Sequence, residues 1–296
     1  MKRGMTLKST IKRAGYAPAA VAATVLVGAM AGTGTASATP APDPGHGAPS
    51  IIGGGAAPTY SFMAAIHGGW GNPKNFTCGG GLIRGDWVVT AAHCVTKPGK
   101  DGKTETIPAK EFTVRIGSKD RTAGGTVVGV KEVFAHPGSV ASDDRSSGSD
   151  LALLHLSKKV TQAPVAMAPS ATKAGTAVRE IGWGYTKPGD KGQDKLPKAL
   201  RQLDTKTIPA NTPKCVKGPD GDDSWGIHKG DVCADNPTGK FGPCGGDSGS
   251  PLLKKVNGRW QIVGVDSRGV GHVCGETPDV YTEIHSFKDW VAKTIG

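Results

Sequence analysis

One stretch of the chain suits a nucleophilic serine: Gly246-Asp247-Ser248-Gly249. A serine hydroxyl is a weak nucleophile, so it needs a nearby base and N–H groups that bind the oxyanion formed when it attacks a carbonyl. Glycines at positions 246 and 249 allow the backbone to bend sharply around Ser248 and to turn its N–H groups toward a substrate. Gly, Asp and Ser are also common turn residues, so this stretch alone is equally compatible with an ordinary turn.

Two further motifs supply a base and an acid. His93 ends the run Thr90-Ala91-Ala92-His93 after the apolar residues 87–89, and Asp150 stands at the head of the apolar residues 151–154. An imidazole, a carboxylate and a hydroxyl therefore follow one another in the order His, Asp, Ser. These motifs resemble those of the trypsin/chymotrypsin family of serine endopeptidases. The resemblance covers nearly the whole chain after residue 50, and we expect a bacterial member of that family.

The resemblance implies a fold and a set of catalytic roles. The fold would be two antiparallel six-stranded β-barrels with a short C-terminal helix. His93 would be the general base and then the acid, Asp150 would orient it, and Ser248 would attack the carbonyl carbon. The N–H groups of Gly246 and Ser248 would form the oxyanion hole. Such a site acts on protein or peptide substrates and needs no cofactor.

Strand-like patterns agree with this fold class. Short apolar runs alternate with Gly, Pro, Asn and Asp turns, which is typical of an antiparallel barrel or sandwich. In the first half these runs are Met63–Ile66, Gly81–Ile83, Trp87–Val89, Phe112–Ile116, Thr126–Val130 and Leu151–Leu156. We expect one barrel at about 51–165, a second at about 166–285, and a helix over 286–296, where a Ser-x-x-Asp start precedes an apolar stripe.

The N-terminal residues indicate export. Basic residues precede an apolar stretch that ends in Ala36-Ser37-Ala38, which predicts a signal peptide over 1–38 and a secreted, extracellular protein. A membrane anchor is the rival interpretation, but the stretch is shorter than the roughly 20 residues that a spanning helix needs, so we expect no membrane association after cleavage. The proline-rich segment 39–50 reads as a propeptide, and the serine peptidase domain would span 51–296.

An activation step is implied at Ile51. In the family, cleavage before an isoleucine at this place frees an ammonium group that pairs with the acid preceding the nucleophile, here Asp247. Before cleavage the nitrogen of Ile51 is a neutral amide and offers no charge to Asp247, and a buried carboxylate without a partner is costly. The ion pair would therefore form only after cleavage. The alternative is that Ile51 and Ile52 simply begin a buried strand.

Six cysteines form an even set, which suits disulfides in an exported protein. Six cysteines allow fifteen pairings, and a single sequence does not choose among them. The resemblance implies Cys78–Cys94, Cys215–Cys233 and Cys244–Cys274.

The substrate pocket departs from the family pattern. Six residues before the nucleophile, many relatives carry a carboxylate that selects Lys or Arg; Gly242 stands there in this chain. Another floor position that is commonly glycine is Asp279 here, so we expect a preference for Lys or Arg before the scissile bond. The alternative is that Asp279 bonds internally and the pocket takes apolar residues or has a broad specificity. Ser267 and Gly269 match the substrate-pairing strand of the family.

Arg268 stands where an aromatic residue is usual. It would either bind acidic substrate residues or lie flat with its stem buried.

Other classes of function have weaker support. The net charge of +11 falls to +7 once residues 1–50, with five basic residues and Asp43, are removed. No basic block interleaved with aromatics appears, so we expect no nucleic-acid partner, and we expect a monomer. Residues 118–125 offer one carboxylate, Asp120, so we expect no calcium there and no metal elsewhere. A protease-like binding protein remains an alternative, whereas an esterase of another fold would need the order Ser, acid, His.

Overall fold

The structure is a computed structural model that describes residues 51–72, 74–100, 102–141 and 148–296. The predicted signal peptide (1–38) and propeptide (39–50) lie outside the described residues. In chain order, the strands of the described residues are β1 Gly55–Ala56, β2 Met63–Gly68, β3 Phe76–Arg84, β4 Trp87–Thr90, β5 Thr96–Pro98, β6 Thr104–Thr106, β7 Phe112–Ile116, β8 Thr126–Ala135, β9 Ala152–Leu156, β10 Ala166–Met167, β11 Ala177–Gly182, β12 Arg201–Ile208, β13 Asp231–Ala234, β14 Pro251–Val256, β15 Arg259–Gly269 and β16 Asp279–Glu283. The helices are α1 Pro213–Val216 and α2 Lys288–Ile295, with 3₁₀ turns at Ala92–Cys94, Ala109–Glu111 and Ile284–Phe287.

The first barrel closes in the order β2, β3, β4, β9, β8, β7, and each neighbouring pair is antiparallel. The six apolar runs predicted from the sequence fall on these six strands. Their inward residues are fully buried because a barrel of this size is filled by its own side chains. The predicted barrel in the first half of the chain is confirmed.

The second barrel closes in the order β12, β11, β14, β15, β16, β13, and the pairing of β12 with β13 completes the ring. Two short strands add to this sheet: β1 pairs with β12, and β10 runs parallel to β15. The first described residues of the chain therefore lie against the second barrel. The predicted architecture of two six-stranded antiparallel barrels is confirmed.

The C-terminal helix begins later than its sequence signal suggests. The Ser-x-x-Asp pattern placed its start at Ser286, but the Ser286 hydroxyl donates to Glu283 Oε2 at 2.8 Å and caps no helical N–H group. A 3₁₀ turn fills residues 284–287, and α2 starts at Lys288. Trp290 on this helix packs edge-on against His136, with ring centroids 5.1 Å apart. Among the helices of the described residues, none is long and apolar enough to cross a membrane.

Three disulfides are present: Cys78–Cys94, Cys215–Cys233 and Cys244–Cys274. The first joins β3 to the turn that carries His93. The second joins α1 to β13, and the third joins the loop before β14 to the loop after β15. All six cysteines are thereby used.

Replacing Cys78 and Cys94 together with alanine is expected to lower the free energy of unfolding by about 3 kcal/mol. The bridge spans 16 residues, and a loop of that size loses about this much entropy in the unfolded chain when it is closed. Urea unfolding of the two proteins measures the difference. The Cys215/Cys233 double-alanine variant is the matched comparison, because its bridge spans 18 residues and should contribute a similar free energy. If removing Cys78–Cys94 lowers the free energy of unfolding by less than about 1 kcal/mol while removing Cys215–Cys233 has the expected effect, this account is contradicted.

Candidate active site

His93 is held by a short 3₁₀ turn at the end of β4. Strand β4 is fully buried in the first barrel, and the turn Ala92–Cys94 follows it almost directly. The disulfide from Cys94 to Cys78 ties this turn to β3. The His93 side chain keeps 12% of its surface exposed, so the imidazole is firmly held and still reachable from solvent.

Asp150 lies beside His93 because β9 pairs with β4. Thr90 opposes Ala152 in that pairing, which brings the residues just before β9 next to the turn after β4. His93 Nδ1 lies 2.7 Å from Asp150 Oδ2, and the His93 backbone N–H donates to Asp150 Oδ1 at 2.8 Å. The carboxylate therefore orients both the ring and the backbone of the histidine.

Ser248 lies in a loop that is fastened to both barrels. Gly79 N in β3 donates to Ser248 O at 2.8 Å, and Gly249 N donates to Asp266 O in β15 at 2.7 Å. Gly249 has φ +77°, and a Cβ at this position would lie 2.2 Å from Thr90 Oγ1. Only glycine fits there, because a side chain would push the loop away from the first barrel.

Gly246 N and Ser248 N are available to a bound group. Within the described part of the chain, neither N–H donates to another residue. Gly246 has φ +97°, a conformation that favours glycine and sets the direction of these N–H groups. Both predicted oxyanion donors are thus present and unoccupied by protein acceptors.

One expected contact is not formed in the structure. Among the described residues, Ser248 Oγ has no hydrogen-bond partner, and His93 Nε2 lies 3.9 Å from Cys94 Sγ. Hydrogen bonds between catalytic groups are often long without substrate and tighten when it binds. The structure therefore joins His93 to Asp150 by hydrogen bonds and joins Ser248 to neither of them.

Asp247 is buried beneath this loop. Its Oδ1 accepts the N–H of Gly184 at 2.7 Å, and its Oδ2 accepts the N–H of Cys244 at 3.0 Å. A Cβ on Gly182 would lie 1.9 Å from Asp247 Oδ1, and one on Gly184 would lie 2.2 Å from Oδ2, so the carboxylate needs glycine at both positions. Burial raises the pKa of Asp247 to about 7, and the two N–H bonds offset part of that rise.

The predicted pocket residues Ser267, Gly269 and Asp279 line one cavity of about 100 Å³, together with Ser248. A Cβ placed on Gly242 would lie 2.6 Å from Asp279 Oδ2. The Asp279 carboxylate therefore faces the position from which family members usually present their acid. Gly242 itself, the fourth predicted pocket residue, is not among the residues that line this cavity.

Further acids lie around Asp279, and two of them were missed by sequence reasoning. Glu180 in β11 and Asp266 in β15 are both buried. Burial raises the pKa of Asp279 well above its ordinary value, and the charges of Glu180, Asp266 and Asp247 raise it further. A signal for Glu180 existed, because it lies two residues after the buried Val178 on the same inward face of its strand.

The charged group of Arg268 is buried and paired with another residue of the protein. Its side chain is 1% exposed and pairs with Asp231 Oδ2 at 2.5 Å. Its Nη2 also donates to Gly226 O at 2.7 Å. Of the two expectations for Arg268, the one with a buried stem is nearer to the structure, but the guanidinium group is buried as well. Its partner Asp231 was not singled out from the sequence, since nothing in the chain order links the two residues.

Metal-binding side chains converge once in the described residues, at Cys78, His93 and Cys94. Both cysteines are in a disulfide, so this group offers a single ligand. Asp120, the acid noted in residues 118–125, accepts the N–H and the hydroxyl of Thr122, each at 2.7 Å. It closes a local turn.

Comparisons with known proteins agree on one family. The family model "Trypsin" matches residues 51–291. Trypsin 5G1 of Aedes aegypti is 33% identical over 226 residues, covering 74% of this chain and 75% of the relative. CLIP domain-containing serine protease B4 of Anopheles gambiae is 28% identical over 236 residues, covering 74% of this chain and 62% of the relative.

A solved structure matches as well. Neuropsin, a serine protease expressed in the limbic system of mouse brain, has a TM-score of 0.63 and 27% sequence identity, covering 80% of this chain and 95% of its own. These relatives come from mosquitoes and mouse, so they lend no support to the expected bacterial origin.

Proposed function

Because this chain belongs to the trypsin family of serine endopeptidases, we propose that it hydrolyses peptide bonds through Ser248, His93 and Asp150. The observation that carries the proposal is the 2.7 Å contact between His93 Nδ1 and Asp150 Oδ2. It favours the tautomer with the proton on Nδ1, which leaves Nε2 able to take a proton from a hydroxyl.

The reaction would proceed in two halves. Ser248 Oγ attacks the scissile carbonyl carbon while His93 Nε2 takes the hydroxyl proton, and the oxyanion binds the N–H groups of Gly246 and Ser248. His93 then gives the proton to the leaving amine, and an acyl-enzyme remains. In the second half, water gives a proton to His93 as its oxygen attacks the acyl carbon. His93 then passes this proton to Ser248 Oγ as the bond between Oγ and the acyl carbon breaks, which releases the carboxylic acid and restores Ser248. A cleavage-site profile of the processed protein on a peptide library tests activity and preference together.

For the substrate we propose peptides and proteins with Lys or Arg before the scissile bond. Asp279 supports this proposal because it lines the pocket and faces Gly242. A cationic side chain in a partly desolvated pocket gains strongly from a nearby carboxylate. Glu180 and Asp266 lie close enough to Asp279 to raise its pKa, but burial also raises the pKa of Glu180, so Asp279 is the acid on which this proposal rests.

We further propose that cleavage before Ile51 activates the protein. Ile52 N donates to Gly242 O at 3.0 Å, and Gly242 N donates to Ile52 O at 3.0 Å, so the first residues of the peptidase domain are fastened beside the pocket. Ile51 is buried and has φ +37°. Such a conformation costs a β-branched residue on the order of 1–3 kcal/mol, and cutting the preceding peptide bond would release that constraint.

Activity is expected to rise by at least about 100-fold when the bond before Ile51 is cut. The new ammonium group would neutralise the buried Asp247 and stabilise the loop that carries the oxyanion donors Gly246 and Ser248. N-terminal sequencing of the active protein, with kcat measured before and after cutting, checks this. The variant Asp247→Asn should stay near the uncut level after cutting. Asp289→Asn, which changes a 91% exposed acid on α2, is the matched control and should activate normally. An active protein that begins elsewhere would overturn the activation step.

The pH dependence of stability gives a second readout. In the uncut chain the pKa of Asp247 is raised to about 7, above the ordinary value of about 3.9. The folded protein then binds the extra proton between these two values, so its stability falls as the pH rises through that window. An ammonium partner would remove this loss. In the Ser248→Ala background, the gap in Tm between cut and uncut chains should therefore widen from about pH 4 to about pH 7. Glu180 and Asp279 should change in the same direction, because the charge of Asp247 helps to raise the pKa of both groups.

Secretion and a monomeric state complete the proposal. The three disulfides fit an oxidising compartment outside the cytoplasm, and the predicted signal peptide would direct the chain there. Mass spectrometry of the culture supernatant tests export, and light scattering tests the monomer.

A further inference from the structure

Arg268 is connected to the catalytic pair through one hydroxyl group. Arg268 Nη1 donates to Ser267 Oγ at 3.0 Å, and the Ser267 hydroxyl donates to Asp150 Oδ2 at 2.7 Å. That oxygen is the one that lies 2.7 Å from His93 Nδ1. A continuous chain of hydrogen bonds therefore runs from a buried guanidinium group to the imidazole.

The direction of each bond in this chain is set by chemistry. A hydroxyl has one donor hydrogen and two acceptor lone pairs, whereas a guanidinium group donates only. With Arg268 donating to its oxygen, Ser267 is left to donate its own hydrogen, and the carboxylate of Asp150 is an acceptor.

The guanidinium group is itself held rigidly. Its Nε donates to Trp225 O at 3.2 Å, and its Nη2 donates to Gly226 O at 2.7 Å and to Asp231 Oδ2 at 2.5 Å. With the bond to Ser267, four of its five N–H groups are used. Asp231 begins β13, which is paired with β16 in the second barrel, so this ion pair anchors the guanidinium group of Arg268 to the wall of the barrel.

We propose that Arg268 is a positioning residue for peptide hydrolysis: anchored by Asp231, it fixes the Ser267 hydroxyl on Asp150 and thereby the imidazole of His93. This inference rests on the proposed function, because it concerns the same reaction. Arg268 touches no reacting atom, and it acts through the orientation of the groups that do.

The test uses an ion-pair replacement that leaves no buried charge alone. Removing Arg268 by itself would leave Asp231 buried and unpaired, whereas replacing both partners of a buried pair with apolar residues is often neutral for stability. The variant Arg268→Met/Asp231→Leu should therefore fold, with kcat lowered about 10- to 100-fold. Its KM for a short peptide should stay within about twofold of wild type, because the lost orientation affects the transition state.

A mutant cycle shows whether the effect passes through Ser267. Ser267→Ala should lower kcat to a similar extent, and the triple variant should be no slower than Ser267→Ala alone, because residues in one network are not additive. Arg268→Lys keeps the charge but loses the fork, so it should recover part of kcat. The matched control is Arg179→Met/Asp204→Leu, which removes an ion pair on the outside of the second barrel, where Arg179 Nε lies 2.6 Å from Asp204 Oδ1. This control should leave kcat unchanged.

Two results would overturn the inference while wild type stays active. One is a wild-type kcat in Arg268→Met/Asp231→Leu, and the other is a triple variant in which the two losses multiply. If the double variant does not fold, Arg268→Lys replaces it in the mutant cycle. The inference is then contradicted if Arg268→Lys lowers kcat by the same factor in the Ser267→Ala background as in wild type. A processed wild-type chain that cleaves no peptide would instead overturn the proposed function, and the inference with it.

Discussion

Replacing Ser248 with alanine is expected to lower kcat for a peptide substrate by about 10⁴- to 10⁶-fold, which is the loss seen when a triad serine is removed. The alanine has no nucleophilic oxygen, so no acyl-enzyme forms. Labelling of the processed protein by a serine-reactive phosphonate should be complete in wild type and absent in the variant. Mass spectrometry of the labelled protein measures both outcomes and identifies the modified residue.

The neighbouring serine provides the control. Ser250 lies two residues further along, and its Oγ is buried with no hydrogen-bond partner among the described residues, so Ser250→Ala should keep activity and labelling. The missing bond between Ser248 Oγ and His93 Nε2 is the observation that would favour a non-catalytic binding protein. An unlabelled and inactive wild type, after cleavage before Ile51, would decide for that alternative.

Replacing Asp279 with serine is expected to lower kcat/KM for Lys and Arg substrates by about 10²- to 10³-fold. Removing one partner of a buried charged contact costs about 2–5 kcal/mol, since it leaves the other charge unpaired. Substrates that differ only in the residue before the scissile bond measure the change, and those with leucine at that position should change little. Asp289→Ser, an exposed acid on α2, is the control. A Lys or Arg preference that survives Asp279→Ser would refute this account of the pocket.

The same pocket predicts a pH effect. Burial and the charges of Glu180, Asp266 and Asp247 raise the pKa of Asp279, which favours its protonated form in the empty pocket. A cationic side chain favours the ionised form, so its binding releases a proton and strengthens as the pH rises. KM for a Lys substrate should therefore fall with rising pH. KM for a leucine substrate should not fall in this way. In the variant Asp279→Ser, KM for the Lys substrate should not fall either.

The strands and the catalytic residue types could be predicted because both depend on local patterns. The six apolar runs of the first half became the six strands of the first barrel, since a strand buries alternate side chains wherever it lies. The motifs around His93, Asp150 and Ser248 identified the candidates for chemistry. The start of α2 could not be predicted in the same way, because Ser286 bonds to Glu283 on the preceding strand, and a local pattern contains no information about that competitor.

The surroundings of the site were beyond reach of the sequence. Glu180 and Asp266 lie more than 80 residues apart in a chain of 296, and only the closing of the second barrel brings their charges to Asp279. Arg268 and Asp231 are likewise brought together only because β15 and β13 both pair with β16. Burial changes what each of these groups does, because a charge in a barrel wall must find a partner or change its pKa.

The sequence by itself indicated the family and the residue types able to carry out hydrolysis through its motifs, and the period of apolar residues indicated an antiparallel barrel or sandwich. The two-barrel fold was what the resemblance to the family implied. Only the tertiary structure decided which oxygen of Asp150 meets His93, that Arg268 is buried rather than offered to substrate, and that Asp279 faces Gly242. The physical reason is that contacts between distant segments depend on strand register and packing at the scale of an ångström, which no local pattern of residues specifies.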